Sequence, residues 1–142
     1  MSASAQGGVE QTGPIARLGL TKGMVVQELG WDDDTDDSLR QAIEDSLDAD
    51  MVDGDYGNVV DAVVLWWRED DGDLVDGLVD ALTDLVGGGV IWLFTPKVGR
   101  SGALEPADIT EAAPIAGLAL TTTASVAADW MATRLVAPKT VS

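Results

Sequence analysis

The sequence predicts a single α/β domain with a mainly parallel sheet of five or six strands, flanking helices and a C-terminal antiparallel hairpin. Three observations predict it. Val63–Trp66 and Val90–Phe94 are short, continuous apolar runs with β-branched and aromatic members, the pattern of parallel strands covered on both faces. Between them the apolar period becomes helical: Leu74, Val75, Leu78, Val79, Leu82, Leu85 and Val86 fall on one stripe, with Asp73, Asp76, Asp80 and Asp84 opposite. Finally, the threonine-rich Leu118–Ser125 and Met131–Ala137 are separated by a connection of hairpin length.

The first two observations make Asp61–Arg100 a βαβ unit. Asp73 stands at the helix N-cap, and Gly87–Gly89 is expected to end the helix and return the chain to the next strand. Leu78 and Leu82 are expected to lie against the sheet. Upstream, Met1–Gly13 is small, polar and glycine-rich and is expected to be a disordered tail, followed by one domain over 14–138 and a short tail over 139–142. Met24–Gly30 reads as the first strand. The run Trp31–Asp37, WDDDTDD, precedes a helix with Leu39, Ile43 and Leu47 on one face, capped by Asp34 or Thr35. So many oxygen ligands suggest a hard cation, but the glycine and terminal glutamate of a calcium loop are missing, so the run is read as a capped, solvated loop without metal.

Asp50–Asp53 reads as a short second strand. Too few residues separate it from Val59–Trp67 for a helical crossover, so the two strands should not be parallel neighbours. If they lie on opposite sides of the first strand, the sheet has a topological switch point with a binding crevice beside it. Glu105–Ala116 is a further helix, with Pro106 in its first turn, Pro114 making its end irregular and Gly117 stopping it.

Composition narrows the chemistry. The 142 residues suit one domain, and 25 acids, 19 of them aspartate, against 8 cations give a net charge of −17. That charge repels phosphate backbones and anionic lipid, so neither nucleic acid nor membrane is an expected partner, whereas a cationic protein surface is. With no cysteine and no histidine, disulfides, thiol nucleophiles, Cys/His zinc sites and His-based triads are excluded. No apolar run reaches the roughly 18 residues of a membrane span and no signal-peptide pattern opens the chain, so a cytoplasmic location is expected.

Two resemblances follow from particular stretches. VVQELGWD (Val25–Asp32) and GGGVIWLFTP (Gly87–Pro96), with the closing hairpin, resemble class I methyltransferase-like Rossmann folds, which implies adenosylmethionine at the turn after the first strand. In that fold the turn is glycine-rich, whereas here Gly30 is followed by Trp31 and three aspartates, and the usual third strand and its helix are missing. Bulk and negative charge oppose adenosylmethionine, NAD and FAD alike, so no cofactor is expected. VVLWWREDDGDLVD (Val63–Asp76), GGVIWLFTPKVGR (Gly88–Arg100), EPADITEAAPIAGL (Glu105–Leu118) and Trp130 ahead of Arg134–Val136 resemble an uncharacterised actinobacterial family, domain of unknown function 3052. That resemblance implies no activity.

The carboxyl ends of the strands carry the candidate site: Trp31 and Asp32 after the first, Trp67 and Arg68 after the strand at Val59, Lys97 and Arg100 after the next. Tryptophan beside arginine is the composition of interface hot spots, and the glycine of Lys97-Val98-Gly99-Arg100 lets a loop turn toward an anion. In the alternative arrangement the cations neutralise WDDD and REDDGD, while Trp66 and Trp92 are core and Trp31 and Trp67 cover the sheet edge. Paired carboxylates such as Asp32, Glu69 and Asp70 are poor catalysts when solvated, so no catalytic residue is expected. The sequence therefore reads as a non-catalytic binding or regulatory module acting through a protein partner. The alternative is a small-molecule or nucleotide-binding enzyme, adenosylmethionine-dependent and methyltransferase-like.

Overall fold

A computed structural model describes residues 18–139. The expected N-terminal tail and most of the C-terminal one lie outside the described residues. The chain runs β1 (Val26–Leu29), α1 (Asp37–Leu47), β2 (Val60–Trp66), a 3-10 turn (Glu69–Asp71), α2 (Leu74–Ala81), β3 (Leu85–Pro96), α3 (Pro106–Ile115), β4 (Ala119–Ser125) and β5 (Trp130–Val136). The strands make one five-stranded sheet in the order β1-β2-β3-β5-β4. β1, β2 and β3 pair in parallel, but β5 is antiparallel to both β3 and β4. The sheet is thus mixed rather than mainly parallel. The short return after Ser125 permits only antiparallel pairing, and by inserting between β3 and β4 the last strand makes two such pairings.

The expected second strand shrinks to a single parallel bridge, Val52 with Gln27. Glu28 N–H donates to the Val52 carbonyl and Val52 N–H to the Val26 carbonyl, both at 2.8 Å. This bridge lies on the side of β1 away from β2, so the sheet grows in opposite directions from β1 and the expected switch point is present.

Two boundaries move, each for a visible reason. Asp36, not Asp34 or Thr35, caps α1 by accepting the Leu39 N–H at 2.8 Å. Asp34 is drawn to Arg68, and the Thr35 hydroxyl donates to the Asp32 carbonyl. α2 stops at Ala81, and Gly87–Gly89 lies inside β3. Sheet pairing competes with the helix there: the Val60 N–H donates to the Asp84 carbonyl at 2.8 Å and Val60 aligns with Leu85. A Cβ at Gly89 would come within 2.6 Å of a Leu85 methyl and 3.0 Å of the Asp61 carbonyl, so glycine permits that close passage. Leu82 and Leu85 are consequently half-buried, while Val79 and Val86 face solvent.

The core has two layers, because successive strand residues point to opposite faces. Val26, Ala62, Val64, Trp66, Trp92 and Phe94 pack against Leu39, Ile43 and Leu47 of α1. Val63, Leu65, Ile91 and Leu93 pack against Leu74 and Leu78 of α2 and Ile109 of α3. β4 forms the outer edge, largely exposed and without a charged residue, its pairing slipping register between Leu120 and Thr122.

The burial pattern separates two neighbours on α2. Leu78 is fully buried and Val79 is 49% exposed; urea melts should show Leu78→Ala losing about 2–5 kcal/mol and Val79→Ala about 0.5 kcal/mol or less.

Candidate functional site at the strand ends

At the switch point β1 gives way to Gly30 at φ +80, a conformation that favours glycine. A Cβ there would lie 2.2 Å from the Trp66 carbonyl oxygen, so the turn after β1 packs directly on the end of β2. Over this contact lies Arg68, two residues beyond β2 and only 8% exposed. Its Nε donates to Asp34 Oδ2 at 2.9 Å, and its Nη2 donates to Asp34 Oδ1, a bidentate fork. Nη1 donates to the Gly30 carbonyl at 2.7 Å and, at longer range, to the Trp66 carbonyl and Asp71. Asp71 also accepts the Arg68 backbone N–H at 2.8 Å. The guanidinium carbon stands 5.5 Å from the centre of the Trp130 ring, within cation–π range.

The charges respond as this geometry requires. The hydrogen bond from Arg68 lowers the Asp34 pKa below the ordinary carboxylate value, outweighing the partial burial that would raise it. Burial alone would lower the Arg68 pKa, but Asp34 and Asp71 outweigh it and the pKa is raised. The charged form is held in place.

Beneath Arg68 is a second network. Trp66 meets Phe94 and Trp130 edge-on, at 4.9 and 4.8 Å between ring centres. Its indole N–H donates to Glu28 at 2.9 Å, and Arg40 grips the same carboxylate through Nε at 2.6 Å and Nη2 at 2.7 Å. The hydrogen bond to Glu28 raises the Arg40 pKa. Two buried tryptophans, Trp66 and Trp92, thus have partnered N–H groups, the second donating to the Leu18 carbonyl at 2.8 Å.

The residues singled out from sequence occupy different surroundings. Trp31 is 51% exposed, and Asp32 is exposed with its carboxylate accepting the Asp33 N–H. Arg68 is inside. Trp67 is half-buried, with a ring edge so close to Gly77 that a Cβ there would sit 2.5 Å from it. Lys97 donates its backbone N–H to the Asp129 carbonyl at 2.9 Å, and exposed Arg100 pairs with the Asp129 carboxylate. Arg68 and Arg100 therefore each have their own aspartate partners and do not share a group between them. No group of three or more acidic side chains that could hold a metal ion occurs among the described residues.

Arg68 adopts the alternative arrangement, neutralising WDDD through Asp34 and REDDGD through Asp71; sequence reasoning missed the Gly30 carbonyl and Trp130 as its further surroundings, and Glu28 with Arg40 below it. Asp71 is also marked by its position, three residues beyond Arg68 at reciprocal-cap spacing. Within WDDDTDD nothing distinguishes Asp34 from its neighbours.

Comparison with known proteins adds the lineage. The family described as Protein of unknown function (DUF3052) matches residues 15–139. The chain belongs to this family. Uncharacterised relatives in Mycobacterium bovis and Mycobacterium tuberculosis are 50% identical over 123 residues, covering 87% of this chain and 77% of theirs. Among solved structures, this DUF3052 chain is similar to NcsB1, an O-methyltransferase of neocarzinostatin biosynthesis (TM-score 0.62, 17% identity, 89% of this chain and 53% of that one). It is also similar to the magnesium protoporphyrin IX methyltransferase of Synechocystis (TM-score 0.55, 11% identity, 87% and 74%). At these identities the likeness is one of fold.

Two measurements check the site. Arg68→Ala should lose about 2–3 kcal/mol in denaturant melts, since it strands the Gly30 carbonyl and leaves a void, whereas Arg100→Ala should lose less than about 1 kcal/mol. Because the folded pKa of Asp34 is depressed, its contribution is present above the unfolded value of about 4 and is lost as pH falls through the folded value. Asp34→Asn should flatten that acid limb of the stability profile.

Proposed function

We propose that this chain is a non-catalytic binding module, a methyltransferase-like frame whose strand-end crevice is filled by its own side chains and whose surface serves a protein partner. The observation that carries this reading is the position of Arg68. Open α/β sheets hold their ligands outside the carboxyl ends of the strands at the switch point. The Synechocystis enzyme was solved with bound SAM, and NcsB1 with S-adenosyl-L-homocysteine. In this chain the corresponding turn has its Gly30 carbonyl taken by Arg68 and its Asp34 locked in the guanidinium fork. Trp31 and a row of acids follow Gly30 where a cofactor carboxylate would need bare backbone N–H groups. The residues present do not fit adenosylmethionine.

A protein partner suits what is left. The chain carries a net charge of −17, which favours cationic surfaces and opposes nucleic acid and anionic lipid. Trp31 and the Lys97–Arg100 loop form the accessible part of the strand-end edge.

The fold likeness favours a second reading, an adenosylmethionine-dependent enzyme. Calorimetry with adenosylmethionine and its demethylated product separates the two. No saturable heat is expected up to millimolar ligand; saturable binding that Trp31→Ala or Asp32→Ala abolishes would promote the enzyme.

A further inference from the structure

A cleft of about 270 Å³ opens between the first turn of α2 and the exposed side of α3, starting from Trp67 at the end of β2. We infer that it is a docking groove for a cationic, apolar-anchored segment of a partner protein, the surface through which the proposed binding module acts. The cleft is smaller than the roughly 300–1,000 Å³ of small-molecule sites and has room for one or two apolar side chains. Its apolar lining includes Trp67, Leu104 and Ile115. Ile115 is 71% exposed, an apolar side chain at the mouth with nothing over it among the described residues.

Charge selects the occupant. Glu69, Asp73, Asp108 and Glu111 line the same cleft, and no lysine or arginine does. None of the four acids has an ion-pair partner among the described residues, unlike Asp34 and Asp129. Asp73 spends one oxygen on the α2 cap; the others face solvent. An apolar floor rimmed by uncompensated carboxylates complements a segment in which a leucine or aromatic anchor is flanked by lysine or arginine. An acidic segment would meet four like charges. The Trp67 indole N–H is the one buried side-chain polar atom without a hydrogen-bond partner among the described residues. The opposite, six-membered edge of the ring is the one packed on Gly77. Because Trp67 lines the cleft, its indole N–H is a reporter of a segment seated there.

The test uses the full chain and three labelled probe peptides of equal length. One has leucine and lysine at helical spacing, one has glutamate in place of the lysines, and one has serine in place of the leucines. Fluorescence anisotropy at physiological salt should show binding of the leucine/lysine peptide alone. The Trp67 indole signal, assigned with Trp67→Phe, should move in proton–nitrogen correlation spectra. Asp108→Lys with Glu111→Lys should weaken binding about tenfold or more, as should Ile115→Asp. Asp50→Lys with Asp55→Lys, which changes net charge equally at exposed positions outside the cleft, should change it by less than about threefold. Equal binding of the lysine/serine peptide, or equal losses from the two charge reversals, would reduce the interaction to bulk acidity and overturn the groove. So would the absence of any binding. Adenosylmethionine calorimetry on the same sample keeps the outcomes apart: no peptide and no cofactor bound defeats the groove alone, whereas cofactor bound defeats the module.

Discussion

One guanidinium organises the active-looking end of this sheet. A buried arginine offers five N–H donors in a rigid plane and cannot shed its charge, so its surroundings must be built to receive it. Arg68 is received by the ends of two strands, the loop before α1, the 3-10 turn and the face of Trp130. Segments far apart in sequence are thereby joined at one charge. The joint is self-consistent: the Gly30 turn can lie against β2 only because it has no side chain, and its carbonyl is then where Arg68 needs an acceptor.

The consequences spread outward. Because Asp34 is committed to Arg68, Asp36 takes over the helix cap and α1 starts later in the acidic run. Trp66, beneath Arg68, is fully buried, its N–H donating to the Glu28 carboxylate that Arg40 also grips. A fold similar to that of methyltransferases here brings arginine, aspartate and tryptophan together beyond the ends of β1 and β2.

Much of this architecture was legible because periodicity reports burial directly. The apolar runs around Val63–Trp66 and Val90–Phe94, the α2 stripe at Leu74 and Leu78 and the proline at the start of α3 all stand where expected. The mixed sheet was harder to read, since a hairpin's length fixes its internal pairing but not the strand it docks beside. Gly87–Gly89 misled for a physical reason: a glycine run signals both a helix stop and a close strand passage, and only the pairing of Val60 with Leu85 decides between them. At the site, Trp31, Asp32, Trp67, Arg68, Lys97 and Arg100 could be placed near the strand ends from topology. Whether a cation faces outward or inward depends on which distant aspartate reaches it, and a run of near-identical aspartates does not encode that choice.

The outer strand β4 shows what the acidity does for the molecule as a whole. Edge strands are commonly guarded by a lysine, a proline or a covering segment, yet Ala119–Ser125 contains no charge and no proline. The slip at Leu120–Thr122 disturbs one end and leaves Thr122–Ser125 in regular register. Two such edges could join without placing like charges side by side. What opposes that joining is the rest of the surface: two bodies of −17 repel before their edges meet, over a distance that shrinks from about 10 Å in 0.1 M salt to about 3 Å in 1 M. Colloidal stability in this protein is therefore carried by the field of the whole molecule rather than by the strand itself, and it is ionic strength that governs it.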